Sequence, residues 1–483
     1  MSNTLAISSE NESNRINYTV VWNSLFFVSA IVTIFTLFFN KSVNLVGNIA
    51  LLPLAHCIYL CFARKLYRKQ LGLSVLIVQI VMICRFIVIP LMFALNGTYT
   101  GVLVDSSKME LAVWYMFYEE VAVGVTAHLW ASIKHKDNPI QMTVYEEKKY
   151  IRPLTMAIIL FWFYIIIVNS KLRGYLLNFG LITRAEMGFT QYISLAEYQT
   201  DIPGIFKIFF YIGLIVVFVT AVHFISVIKA YKGIKVAALA TICICFISSM
   251  WSSGFTVSRW GMLIATILSV YVMIYSFPNR KKAILKIGIT VVVLVVVVGS
   301  VLKIASFGVT DASVTDAVEK YFNTQYFDEY FEGVGPVANG LTTAERYAAD
   351  RGVEGVFLDW FYNFPYAMKI LNINSGRVAT DYFHQVTGHY DLIMPTVTQS
   401  IMQFGGMFAP LYSCIMLWFA LWFDRKQQAA KTLYKKLFYT VLVFWMSLFM
   451  AVNTNVIESH IWFAVIGLVL ITIEERVCIS VRK

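Results

Sequence analysis

Stretches of about twenty residues with almost no charge recur along the whole chain, and that recurrence limits its fold more than any other feature. A helix needs about 20 mostly apolar residues to cross the hydrocarbon core of a bilayer. Twelve candidates satisfy this: residues 18–39, 43–63, 73–95, 110–133, 153–169, 204–228, 236–251, 260–277, 287–307, 395–423, 437–452 and 461–473. Of the 483 residues, 58% are hydrophobic and 14% charged. A water-soluble domain carries about 25% charged residues. The expected fold is therefore an all-α polytopic membrane protein of about 12 transmembrane helices.

Charge gives the expected orientation. The loops alternate between a basic set, from Arg15 through Arg64, Lys148, Lys235, Lys282 and Lys435 to Lys483, and a set with few cations, among them Lys41, Lys108 and Arg184. Cytoplasmic loops hold the excess of Lys and Arg, so both termini are expected in the cytoplasm. The net charge of +11 fits loops facing anionic headgroups. No basic run accompanies a soluble domain, so no nucleic-acid partner is expected. Residues 1–17 form a polar tail without a basic n-region, which argues against a cleaved signal peptide. Residues 474–483 form the other tail.

Between the spans of 18–307 and those of 395–473 lies one long segment, 308–394, expected to face outward. Its 87 residues carry a net −7 and many aromatics, including Tyr321-Phe322, Tyr330-Phe331 and Trp360-Phe361-Tyr362. Val353, Val356, Phe357, Trp360, Phe361 and Phe364 recur at helical spacing, which predicts a short amphipathic helix ended by Pro365. The segment reads as a folded cap over the mouth of the bundle.

Charged residues inside spans are costly and therefore informative. Arg85 lies near the middle of 73–95, and Glu119 and Glu120 near the middle of 110–133. Arg85 is expected to pair with one of the two glutamates, either to fix helix register or to line a polar cavity. His128 reads as structural. Arg259 opens a span after a small-residue turn, where a helix N-terminus favours anions. Arg346, Arg351 and Arg377 come from the acidic loop, and guanidinium forks suit phosphate. His389, in Gly388-His389-Tyr390-Asp391, is a candidate proton carrier, with His384 and Asp391 as competitors. The seven cysteines have no zinc-ligand spacing and read as small hydrophobes. No metal site, Walker motif or Gly-x-Ser-x-Gly motif is evident.

These features resemble the Wzy-type polymerases of bacterial O-antigen and capsular repeat units. The resemblance rests on Ser258-Arg259 at a span start and on Tyr321-Phe322 followed by Tyr330-Phe331-Glu332-Gly333-Val334-Gly335-Pro336. It rests also on Gly388-His389-Tyr390-Asp391 with Pro395 and Phe404-Gly405-Gly406, and on one large late loop. The motifs fall within about residues 240–420. Tyr390 after the histidine, where related ligases show Asn, favours a polymerase over a ligase. The resemblance implies a GT-C-like glycosyltransferase in the bacterial inner membrane. Such an enzyme moves a growing glycan from undecaprenyl diphosphate to a sugar hydroxyl of the next lipid-linked repeat unit, without metal or other cofactor. It implies Arg259 and Arg346 on the diphosphate, Arg351 and Arg377 beside them, and His389 as base, with a chain-length regulator and a flippase as partners. A glycan ligase and a lipid-linked oligosaccharide flippase are the alternatives.

Overall fold

The computed structural model describes residues 18–69, 72–133, 153–173, 176, 202–228, 231–251, 259–306, 324–350, 353–364, 366–370, 372, 377–389, 392–430 and 432–480. Among these residues the structure is all helical, with no strand. The helices are α1 (Tyr18–Phe38), α2 (Leu51–Lys69), α3 (Leu73–Asn96), α4 (Met109–Ser132), α5 (Pro153–Val168), α6 (Gly204–Val227), α7 (Lys232–Trp251), α8 (Arg259–Ser276) and α9 (Lys281–Ser306). After them come α10 (Thr324–Tyr330), α11 (Val334–Tyr347), α12 (Val353–Phe361), α13 (Ala379–Thr387), α14 (Thr396–Phe404), α15 (Leu411–Ala429), α16 (Leu433–Met446) and α17 (Thr454–Ser480).

Among the described residues, six helices are long and apolar enough to cross a membrane, or seven if the bent pair α8–α9 counts as one span. That pair turns by 116° around Phe277-Pro278. Proline cannot continue the donor ladder of a helix, so the break falls there. Large apolar side chains stay exposed along these helices, Phe27 (69%), Ile31 (61%) and Phe224 (65%) among them. A surface of this kind suits lipid rather than water. Polar residues within α1 satisfy themselves: Ser29, Thr33 and Thr36 donate to the carbonyls of Leu25, Ser29 and Val32 at 2.7–2.8 Å. Hydrocarbon offers no other partner. The chain is an α-helical membrane protein.

Several elements depart from the expected spans. The segment 43–63 begins as turns, because the Asn40 amide donates to the Val46 carbonyl (2.9 Å) and its oxygen accepts from the Ser42 amide (2.9 Å). Helix α2 starts only at Leu51. The segment 395–423 is broken. Gly405, at φ +83°, ends the short α14, and α15 starts afresh at Leu411. Glycine alone takes that backbone region without strain.

The core sits where α2, α4, α11, α14 and α15 meet. Helices α2 and α4 approach closely at Gly124, where a Cβ would lie 3.1 Å from the Tyr59 Cα. Helix α11 inserts against α4 and α14, and every residue from Val334 through Ala344 is buried. Part of the segment expected as a cap therefore forms the interior of the bundle. Helix α12 packs on α17 and α14, with its orientation shifted from the expected apolar face. Leu358 and Asp359 are buried, while Phe357 is exposed.

Candidate functional site

The interior holds charged groups that three elements bring to one place. Arg85 lies in a π-turn, Cys84–Val88, within α3. Such wide turns recur at functional sites. Its Nη1 donates to Glu119 Oε2 at 2.8 Å, and both side chains are fully buried. Its Nε donates to the Glu332 carbonyl at 3.0 Å. Glu119 Oε1 also accepts from the Ser413 hydroxyl at 2.5 Å. The pair expected from the sequence thus forms with Glu119 and not with Glu120. Arg85 Nη2 remains buried without a partner.

Glu332 occupies the turn between α10 and α11 at φ +49°, a left-handed conformation for a residue other than glycine. Its Oε2 accepts from the Thr396 amide at 3.2 Å, in the first turn of α14, while its Oε1 is buried without a partner. Burial raises its pKa well above the ordinary carboxylate range, against the opposing pull of Arg85. Just before it, Asp328 caps α11: Oδ1 accepts from the Val334 amide (2.7 Å) and Oδ2 from the Gly335 amide (2.8 Å). Burial pushes Asp328 up to about 7, and the two amide bonds oppose that shift. The approach is close enough that a Cβ on Gly335 would run into the Tyr99 hydroxyl. This explains the small residues in Glu332-Gly333-Val334-Gly335.

The same turn is tied to α8. The rings of Tyr330 and Trp260 stack with centroids 5.7 Å apart and planes at 16°. Arg259, the first residue of α8, is thereby held next to the turn that carries Glu332.

A second branch starts at Glu120. Its Oε1 lies 2.9 Å from His56 Nδ1, and His56 Nε2 lies 2.9 Å from Gln79 Nε2. An amide nitrogen can only donate, so the imidazole proton sits on Nδ1 and is donated to Glu120. Gln79 Oε1 accepts from the Tyr67 hydroxyl. The chain Tyr67, Gln79, His56, Glu120 is buried throughout, and Glu120 Oε2 lacks a partner.

Two further buried carboxylates fasten the loop helices. Asp359 Oδ1 accepts from the Ala379 amide (2.9 Å) and the Asn455 amide nitrogen (3.2 Å), and Oδ2 from Gln403 (3.1 Å). Glu458 Oε1 accepts from the Asn363 backbone and side chain, at 3.0 and 2.5 Å. Its Oε2 accepts from Trp462 Nε1 at 2.9 Å.

The residues expected on a diphosphate are only partly gathered. Arg346 is exposed in the last turn of α11. A contact between Tyr347 and Tyr382, with ring centroids 4.9 Å apart, sets that end beside α13. Arg377 precedes α13 and His389 follows it, both exposed. They stand at opposite ends of nine helical residues, about 13 Å along the axis. His384, on α13, lies 2.8 Å from the Leu392 carbonyl through Nε2. The side chain of Arg259, and the whole of Arg351 and Asp391, lie outside the described residues. No group of side chains suited to hold a metal occurs among the described residues. Among the described residues six cysteines are unbonded, with Cys57 buried and Cys61 exposed, so they are less uniformly interior than expected. Sequence reasoning missed Glu332, His56, Gln79, Asp359 and Glu458. The one available signal for His56 was an ionisable side chain in an apolar run.

No family model, curated protein or solved structure matches the chain.

Proposed function

We propose that this protein is a polysaccharide polymerase of the inner membrane, with about twelve spans, both termini cytoplasmic and a GT-C-like plan. It extends a glycan by moving it from a lipid diphosphate to a sugar hydroxyl of the next lipid-linked repeat unit. One observation carries the reading. The three segments on which the resemblance rests, far apart in sequence, meet at one place: Trp260 after Arg259, the Tyr330-Phe331-Glu332 turn, and Thr396 after Pro395. A helix N-terminus bearing Arg259 favours an anion there. Negative charge develops on the departing diphosphate, and a fixed guanidinium lowers the barrier where that charge appears. Arg346, Arg351 and Arg377 hold the outlying part of the substrate, and aromatic rings of the loop stack on sugar faces.

The test is direct. Purified protein in liposomes receives the lipid-diphosphate-linked repeat unit extracted from cells that lack this chain, without nucleotide sugar or added divalent metal. A ladder of longer glycans is the expected product. Transfer of a single unit to another lipid core would make the protein a ligase. Movement across the bilayer without a new bond would make it a flippase.

A further inference from the structure

We propose that Glu332, rather than His389, takes the proton from the acceptor hydroxyl; this rests on the polymerase reading and adds a catalytic residue to it. The turn holds the carboxylate in a single pose. The Glu332 carbonyl accepts from Arg85 Nε at 3.0 Å, Oε2 accepts from the Thr396 amide at 3.2 Å, and the Gly333 amide donates to the Asp328 carbonyl at 2.7 Å. A left-handed backbone at a residue other than glycine persists only where its surroundings hold it, and such sites cluster where chemistry occurs. Here the φ of +49° falls on the residue between Phe331 and Gly333.

Two polar atoms of this cluster are buried without a partner: Glu332 Oε1, an acceptor, and Arg85 Nη2, a donor. Their side chains interact electrostatically. A hydroxyl group is at once donor and acceptor, so an alcohol has the chemistry that the two atoms call for. It gives its hydrogen to Oε1 and accepts from Nη2. A phosphate would meet the carboxylate as a like charge, and a cation would meet the guanidinium. The geometry therefore favours an alcohol over either ion.

The neighbouring stack supplies the other half of the reaction. Trp260, the residue after Arg259, stacks on Tyr330, which lies two residues before Glu332. With the diphosphate at Arg259, the acceptor oxygen bonds to the anomeric carbon of the donor sugar. The bond from that carbon to the diphosphate oxygen breaks, and its electron pair leaves with the diphosphate. The hydroxyl proton passes to Glu332 Oε1. A carboxylate whose burial raises its proton affinity is, once ionised, the stronger base for this transfer. The charged groups that act on Glu332 are Arg85 of α3 and Glu119 of α4. His389 follows the end of α13, exposed, with its backbone amide donating to the Thr387 hydroxyl.

Glu332→Gln keeps the shape and the acceptor for Thr396 but cannot take a proton. Full-length protein in liposomes is given the extracted lipid-linked repeat unit, and both donor binding and ladder growth are read. Glu332→Gln is expected to bind the donor as wild type does and to elongate about 10²–10⁴-fold more slowly, the usual span for a lost general base. If that variant is missing from the membrane, Glu332→Asp is read instead. It keeps the charge with a shorter reach, and a ladder slowed at least about tenfold with donor still bound is expected. Elongation at the wild-type rate by either variant overturns the assignment. A wild-type protein that makes no ladder overturns the polymerase reading itself, so the two failures are distinguishable.

Discussion

Replacing Arg85 with Met removes one charge from the interior and leaves its surroundings in place. Met fills a similar elongated volume, so the loss is electrostatic before it is steric. Glu119 would keep only the Ser413 hydroxyl (2.5 Å) as partner, and the Glu332 carbonyl would lose its bond to Nε (3.0 Å). Breaking one side of a fully buried ion pair costs about 3–5 kcal/mol, and an orphaned buried carbonyl adds about 1–3 kcal/mol. Exchanging both partners for apolar groups is often neutral. Arg85→Met should therefore destabilise by at least about 3 kcal/mol, and Arg85→Met/Glu119→Leu by clearly less than the sum of the single changes. Reversible unfolding in bicelles, run as a double-mutant cycle, measures the coupling. A single mutant within about 1 kcal/mol of wild type, or an additive double mutant, would refute the role given to this pair.

Three other perturbations follow from the same geometry. Asp328→Asn should alter the pH dependence of stability. The native pKa of about 7 stands above the ordinary 3.8, so the native state holds the proton more tightly than the unfolded chain. Its contribution is full below about pH 4 and is lost as pH rises to about 7. The Asn variant should lack that slope in thermal melts from pH 4 to 8, and an unchanged slope would exclude Asp328 as its source. Asp359→Ala strands the buried Ala379 amide, at about 1–3 kcal/mol, and takes one acceptor each from Asn455 and Gln403. Faster proteolysis within residues 353–389 should report the loosened loop, and wild-type digestion would contradict the anchoring role. Arg259→Ala should abolish elongation at unchanged membrane abundance, with Arg259→Lys also weak because a point charge lacks the fork. Near-normal chain lengths from either variant would remove Arg259 from the mechanism.

The membrane class and the Arg85 pair were legible in the sequence for one reason: charge in an apolar run is expensive and must be matched at its own depth. The choice of Glu119 over Glu120 was not legible. It depends on helix phase, which the π-turn at Cys84–Val88 resets. Glu332 was hidden by its context, because a glutamate in an acidic loop reads as solvated. Its burial follows from α11 entering the bundle, and that helix is made of small and weakly polar residues with no long apolar run. Asp328 and Asp359 were hidden in the same way. Each caps a helix whose start could not be fixed from spacing alone. His389 was singled out by its junction motif, and it lies exposed after α13.

The helix that carries the wide turn around Arg85 is sensitive to length as well as to chemistry. A residue lost from Cys84–Val88 would only restore regular α-helical hydrogen bonding, because the wide turn absorbs one extra residue; one lost between Gln79 and Cys84 has no such outlet and leaves the segment just as greasy. Yet each residue advances a helix by about 100°. Everything on one side of the deletion would swing by more than a quarter circle relative to the other. The guanidinium and Gln79 could then no longer both face their present neighbours. A one-codon loss that any hydropathy plot would pass as harmless would uncouple the arginine's carboxylate from the histidine's.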